Sequence, residues 1–149
     1  YEGVDYMCNN EKNNCQCIAE ILTVISILQQ NASCCSDACL DTCDRGFLGC
    51  STTTLGCNTR PIMLYTCGSN STPLEIPTSK EDVAGETRSS VFRVEKIDGC
   101  CATFRVLATN PDAAQVATIP YVATNSFFTV NLNCVCCLRC LQDTYVECL

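Results

Sequence analysis

The chain predicts a mainly β (α+β) fold: an antiparallel β-sandwich or barrel-like domain with an N-terminal helix and a cysteine-rich arm. Three observations carry that prediction. Short runs of alternating apolar and polar residues recur from Thr59 to Leu141, with Gly, Pro, Asn and Asp turn signals between them. One earlier run, Cys17 to Gln30, has helical spacing instead. Finally, 17 of the 149 residues are cysteine. That is the density of a disulfide scaffold, yet the chain is long enough to bury a core unaided.

Composition narrows the function classes. The apolar fraction of 47% argues for a folded chain. There is no histidine, which removes His general bases, Ser-His and Cys-His nucleophile pairs and mixed Cys/His metal sites together. A net charge of −7 argues against nucleic acid and anionic membranes as partners, and no apolar run is long enough for membrane insertion. An odd cysteine count leaves at least one thiol that cannot pair within one chain.

Residues 1–16 are polar and asparagine-rich around Cys8 and Cys15, and read as a flexible N-terminal arm; a frayed terminus with incidental cysteines is the other reading. Residues 17–149 form the cysteine-rich domain. Its helix, 17–30, places Ile18, Ile21, Leu22, Ile25 and Leu28 on one stripe. Val24 and Ile27 widen that stripe, so the helix is either buried on two sides or shared with a subunit contact. The cysteine cluster 34–57 follows. Cys35, Cys39 and Cys43 recur four apart, and Cys50 and Cys57 close the segment. Cys34 and Cys35 are adjacent and do not readily bond each other, so two bridges leave one point. Cys100-Cys101 and Cys136-Cys137 repeat that arrangement.

The β domain, 58–149, opens with a strand over Arg60–Thr66, where Pro61 suits only the first residues or an edge. Gly68–Ser90 reads as a loop around a short Pro73–Pro77 segment. Ser90–Lys96 and Cys100–Leu107 form a hairpin through Asp98-Gly99. A two-residue Asp-Gly turn mixes its faces; a three-residue loop, Ile97-Asp98-Gly99, sets Phe92 on Phe104 and Val94 on Ala102 and keeps one face apolar. That register leaves Cys101 outward beside Glu95 and Cys100 inward beside Lys96. Asn110–Asn125 reads as a loop with a short Ile119–Val122 segment.

The last strand, Phe127–Leu141, carries Cys134, Cys136, Cys137 and Cys140. Continuous alternation puts Phe128, Val130, Leu132, Cys134, Cys136 and Leu138 on one apolar face and Cys137 on the other. Thiols on both faces can tie a fold together and tie it to something else.

Four blocks in order carry a family resemblance: Asn58-Thr-Arg-Pro-Ile-Met-Leu-Tyr-Thr-Cys-Gly68, Phe92-Arg-Val-Glu-Lys-Ile-Asp98, Cys101-Ala-Thr-Phe-Arg-Val-Leu107 and Thr129-Val-Asn-Leu-Asn-Cys-Val-Cys-Cys-Leu-Arg-Cys-Leu141. They resemble the spore coat protein Y/Z family, which includes the related exosporium protein Y. Upstream, Cys17, the helix, the Cys34–Cys43 cluster and Phe47-Leu-Gly49 continue the likeness. The resemblance implies a structural protein that is not an enzyme. It implies synthesis in the mother cell without a signal peptide, and self-assembly into a cysteine-cross-linked, two-dimensional lattice of the spore outer coat or exosporium. The partners implied are further copies of the chain and other coat or exosporium proteins. Cys17, Cys101, Cys134, Cys136 and Cys140 fall where that family has cysteine. Cys67, Cys100, Cys137 and Cys148 are additions, and Asn131 stands where the family often has Asp.

Position in the chain sorts the thiols. Cys8, Cys15, Cys137 and Cys148, with Cys101 behind them, lie in arms or face outward and are the candidates for bonds between chains. Cys17, Cys34, Cys35, Cys39, Cys43, Cys50, Cys57, Cys67, Cys100, Cys134, Cys136 and Cys140 are the candidates for intrachain or buried cysteines. No catalytic, metal or cofactor-binding residue is assigned. Three alternatives are weighed against this reading. Cys137-x-x-Cys140 has zinc-knuckle spacing, with only the irregular Cys34–Cys43 cluster as a second knuckle for a zinc or iron–sulfur site. A secreted disulfide-rich binding module would use the sequons at Asn31 and Asn70, triplets that arise by chance in Asn-, Ser- and Thr-rich chains. A Cys137/Cys140 redox enzyme lacks the strand-to-helix setting of such motifs.

Overall fold

The computed structural model describes residues 15–30, 57–147 and 149. Within them, helix α1 (Gln16–Gln30) precedes seven strands: β1 (Ile62–Thr66), β2 (Ile76–Pro77), β3 (Arg88–Ser89), β4 (Val91–Asp98), β5 (Cys101–Thr109), β6 (Tyr121–Asn131) and β7 (Val135–Cys140). Five form one antiparallel sheet in the order β6-β5-β4-β1-β7, and β2 and β3 pair separately. The class is therefore the one the sequence predicts: mainly β, antiparallel, with a helix first. The sheet is curled but does not close into a barrel.

The curl follows from chain connectivity. β6 and β7 are the two edges of the sheet, yet only Leu132–Cys134 join them, as a 3-10 turn. Four inter-strand steps would hold the edges of a flat sheet roughly 19 Å apart. The chain from Asn131 to Val135 reaches about 14 Å at full stretch. The sheet has to bend until its edges approach at that end. Backbone bonds record the crossing: Leu132 N–H donates to the Cys100 carbonyl beside β5, and Cys67 N–H, just past β1, donates to the Cys134 carbonyl.

That crossing corrects the single strand expected over Phe127–Leu141. The Asn131 side chain accepts from the Asn133 N–H and caps the 3-10 turn, the local bond by which asparagine competes with a ladder. Alternation restarts after the turn, so the face assignment of Cys134 fails: Leu132 is buried and Cys134 is exposed. The loop expected over Asn110–Asn125 also ends early, because Tyr121–Asn125 already belong to β6, with Tyr121, Val122 and Ala123 paired to β5.

The β4–β5 hairpin adopts neither register weighed from sequence. Gly99, at φ +63°, and Cys100 make a two-residue turn, with Asp98 opposite Cys101; a positive φ at the first central residue is what tight hairpin turns demand. The apolar face survives because a bulge at Glu95 resets the pairing, placing Val94 opposite Phe104 and Phe92 opposite Val106. Ile97, which unbroken alternation would turn outward, packs on the core.

One core lies between α1 and the sheet. Ile18, Leu22 and Ile25 of the helix meet Ile62, Leu64, Phe92, Val94, Phe104 and Val106, with Leu132 and Val135 closing the end where the edges approach. Phe128 sits edge-on to Phe92, centroids 4.7 Å apart, and stacks on Phe104 at 5.3 Å. Gln29 occupies the next position of the buried helical stripe. Its amide donates to the Val94 carbonyl at 2.9 Å and its oxygen accepts from Arg60 N–H at 3.1 Å, so the helix end is bonded into the sheet with no buried polar atom left over. Ile27, on the widened stripe, stays half exposed.

The tail locks beside β1. Thr59 bridges Thr144, and the Asn58 side chain imitates a strand, donating to the Val146 carbonyl and accepting from its N–H at 2.9 Å each. Beneath them the Arg60 guanidinium grips Asp143 with two bonds of 2.7 and 2.8 Å, in a pair almost wholly removed from water.

Candidate cross-linking surface

Two intrachain disulfides are fully placed. Cys15 bonds Cys100, joining the start of α1 to the β4–β5 turn. Cys67 bonds Cys136, joining the end of β1 to the start of β7. Their sequence separations are 85 and 69 residues, and the loops interleave. Closing a loop of that length contributes roughly 4 kcal/mol in the chain-entropy model, but interleaved loops share residues, so the second closure restricts a chain already shortened by the first. Cys17 and Cys140 are also disulfide-bonded.

Cys15 is a correction. It was expected to reach another chain from a flexible arm, but the helix begins one residue later and leaves Cys15 only 2% exposed, on the side that carries Ile18 and Leu22. From there its sulfur meets the hairpin turn. Cys134 is the converse correction, being an exposed free thiol where an intrachain or buried one was expected. Cys57 is buried. Cys8, Cys34, Cys35, Cys39, Cys43, Cys50 and Cys148 lie outside the described residues, as do residues 1–14 of the expected arm.

Three thiols remain at the described surface: Cys101, Cys134 and Cys137 are free and exposed. Cys101 opens β5 opposite Asn131 of β6, Cys134 ends the 3-10 turn, and Cys137 lies on edge strand β7 opposite Tyr65. All three belong to the end of the sheet where its edges approach. Sequence reasoning reached Cys101 and Cys137 by alternation alone. It missed Cys134, and the signal was there in Asn131-x-Asn133, an asparagine pair able to break a strand.

Cys101 lies opposite Asp98 of β4, not beside Glu95; farther along the hairpin the outward face is organised by charge. Outward on the same hairpin, Arg93 and Arg105 stand opposite each other. Glu95, the bulge residue, accepts from both, at 3.0 and 3.3 Å. Arg93 also reaches the Thr59 hydroxyl and the Asn58 carbonyl, which ties the hairpin to the tail segment. Arg105 covers the exposed Phe127 ring at 4.6 Å.

Chemically, a thiol in a placed disulfide is spent, whereas an exposed free thiol can be oxidised onto another sulfur. In Cys137-x-x-Cys140 only Cys137 is a thiol, because Cys140 is already bonded. The spacing that suggested a zinc knuckle therefore offers one ligand, not two.

Among curated proteins and among solved structures, none matches the chain. A protein-family comparison does: the family described as Spore coat protein Z matches residues 6–143, a span that includes every strand and both placed disulfides. The match carries a structural role in the spore coat and a place at the spore surface. With nearly its whole length inside that span, the chain belongs to the spore coat protein Z family.

Proposed function

We propose that the chain assembles with further copies of itself, and with other coat or exosporium proteins, into a disulfide-cross-linked ordered layer that gives the spore mechanical and chemical resistance. The observation that carries this reading is the division of the thiols. Cys15, Cys100, Cys67 and Cys136 are spent in intrachain bonds, while Cys101, Cys134 and Cys137 stay free and exposed on one end of the sheet. Cys8 and Cys148 join them as candidates from the sequence. The chain acts as material and not as a catalyst. Made in the reducing mother cell, it first assembles through non-covalent contacts, and oxidation after lysis locks the contacts covalently. A bond between chains makes dissociation wait on its reduction, so the layer persists at any dilution.

Denaturing electrophoresis of the native assembly, with and without reductant, followed by intact mass, tests this. A ladder or excluded material that collapses to the 16.2 kDa monomer only on reduction supports it. A clean monomer without reductant, heavier under native ionisation by whole zinc or iron atoms, assigns the cysteines to metal instead.

A further inference from the structure

We infer that β7 is a docking edge for a second copy of this chain, pairing antiparallel about a two-fold axis through Cys137 so that the two Cys137 side chains face each other. The inference rests on the assembly reading above and names the contact it would use.

The two edges of the sheet are treated differently. β6 is overlain by the β2–β3 loop: Lys80 N–H donates to the Asn125 side chain, which donates in turn to Glu81, and the Ser126 hydroxyl donates to the Pro77 carbonyl. β7, among the described residues, has β1 as its only ladder neighbour. It carries neither proline nor an inward charge; a bulge at Cys136 interrupts its pairing with β1, one arginine points outward, and the run from Cys137 to Cys140 stays regular.

Ladder parity supplies the register. Leu141 N–H donates to the Pro61 carbonyl. Two and four residues earlier, the backbone groups of Arg139 and Cys137 therefore also turn toward β1, and those of Leu138 turn to the open edge. In a symmetric pair centred on Cys137, Leu138 of each chain hydrogen-bonds across the seam. The facing cysteines then occupy a pair that makes no bond across it, with Cα atoms about 4.5 Å apart, inside the span a disulfide bridges. Each Arg139 falls opposite the partner's Val135, so the two like charges are kept apart; the symmetric register centred on Arg139 would oppose them. The two-fold axis stands perpendicular to the sheet, so both helices stay on one side and the outward faces continue across the seam. Covalent closure removes two protons and two electrons from the two thiols as the S–S bond forms, and dissolved dioxygen accepts them, giving hydrogen peroxide.

The full chain, purified reduced and then exposed to air, is digested without reductant and mapped by mass spectrometry, with amide exchange measured before and after assembly. A peptide linking Cys137 to Cys137 is expected, together with at least tenfold slower exchange at Leu138. In Cys137→Ser the linked peptide disappears while the slowed Leu138 exchange persists at high protein concentration. Reductant-sensitive oligomers linked only through other cysteines, with Leu138 exchange unchanged, overturn the edge contact and leave the assembly reading standing. Material with no reductant-sensitive species overturns both.

Discussion

Arg93 and Arg105 sit directly opposite each other on β4 and β5, and the Glu95 carboxylate bonds both. Like charges so placed destabilise a strand pair. The bulge that corrects the hairpin register also supplies the counter-charge, because the extra residue is Glu95 itself. Glu95→Gln keeps the shape and removes the charge. It should cost about 1 kcal/mol in these partly exposed positions, lowering Tm by about 2–4 °C in a chain of this length. The loss should shrink as salt is added. Unchanged melting at low salt would mean that the two guanidiniums are held apart by Thr59, Asn58 and Phe127 alone.

Arg60 and Asp143 make the buried pair beneath the tail. Asp143→Asn or Arg60→Met leaves one charge buried without its partner, an expected loss of about 3–5 kcal/mol. The double variant Arg60→Met with Asp143→Leu should recover much of that loss. Urea unfolding of the three variants decides it: if the double is as unstable as the worse single, the pair is held by its geometry and not by charge compensation.

Asp82 sets a pH dependence for the β2–β3 loop. Backbone N–H groups of Thr87, Glu86 and Gly85 all donate to its carboxylate, which holds the group below the usual aspartate range, the Thr87 bond contributing most. A depressed folded pKa means that the loop's stabilisation is present above the unfolded value, near 3.9, and is lost as pH falls through the folded one. Amide exchange at Gly85, Glu86 and Thr87 should therefore speed up below about pH 4, beyond the intrinsic pH trend. In Asp82→Ala it should be fast at every pH.

Removing the Cys15–Cys100 bond by the double serine variant should cost roughly 2–4 kcal/mol, and removing Cys67–Cys136 a similar amount. Because the loops interleave, either bond alone still restricts much of the chain, so removing both should cost more than the sum of the two single losses. Denaturant midpoints of the four species measure the difference, and strict additivity would show that the two closures restrict separate parts of the unfolded chain.

Much of the fold was legible because it rests on short-range patterns. The stripe Ile18, Leu22, Ile25 marked the helix, and alternation marked β1, β4 and β5. What the sequence hid depended on one extra residue or one side-chain bond. The Glu95 bulge shifts a register by a single position, and a strand with residues to spare reads the same with or without it. The Asn131 cap breaks a run whose apolar alternation continues undisturbed through it, so Cys134 was assigned to the wrong face. The intrachain pairing of Cys15 was hidden for another reason: seventeen thiols permit too many pairings for spacing to choose among them.

Cys136 and Cys137 are neighbours in the chain, and the first is already bonded to Cys67 at the end of β1. Tension applied at the Cys137 sulfur thus meets a covalent branch one residue away. That branch passes the pull straight to β1, the strand between β4 and β7. The hydrogen bonds between β1 and β7 do not have to peel one after another, as they would if the edge strand were anchored by its ladder alone. Stretching such a material would strain covalent bonds and the interior of the sheet before it stripped an edge, which is the behaviour of a stiff shell and not of a gel.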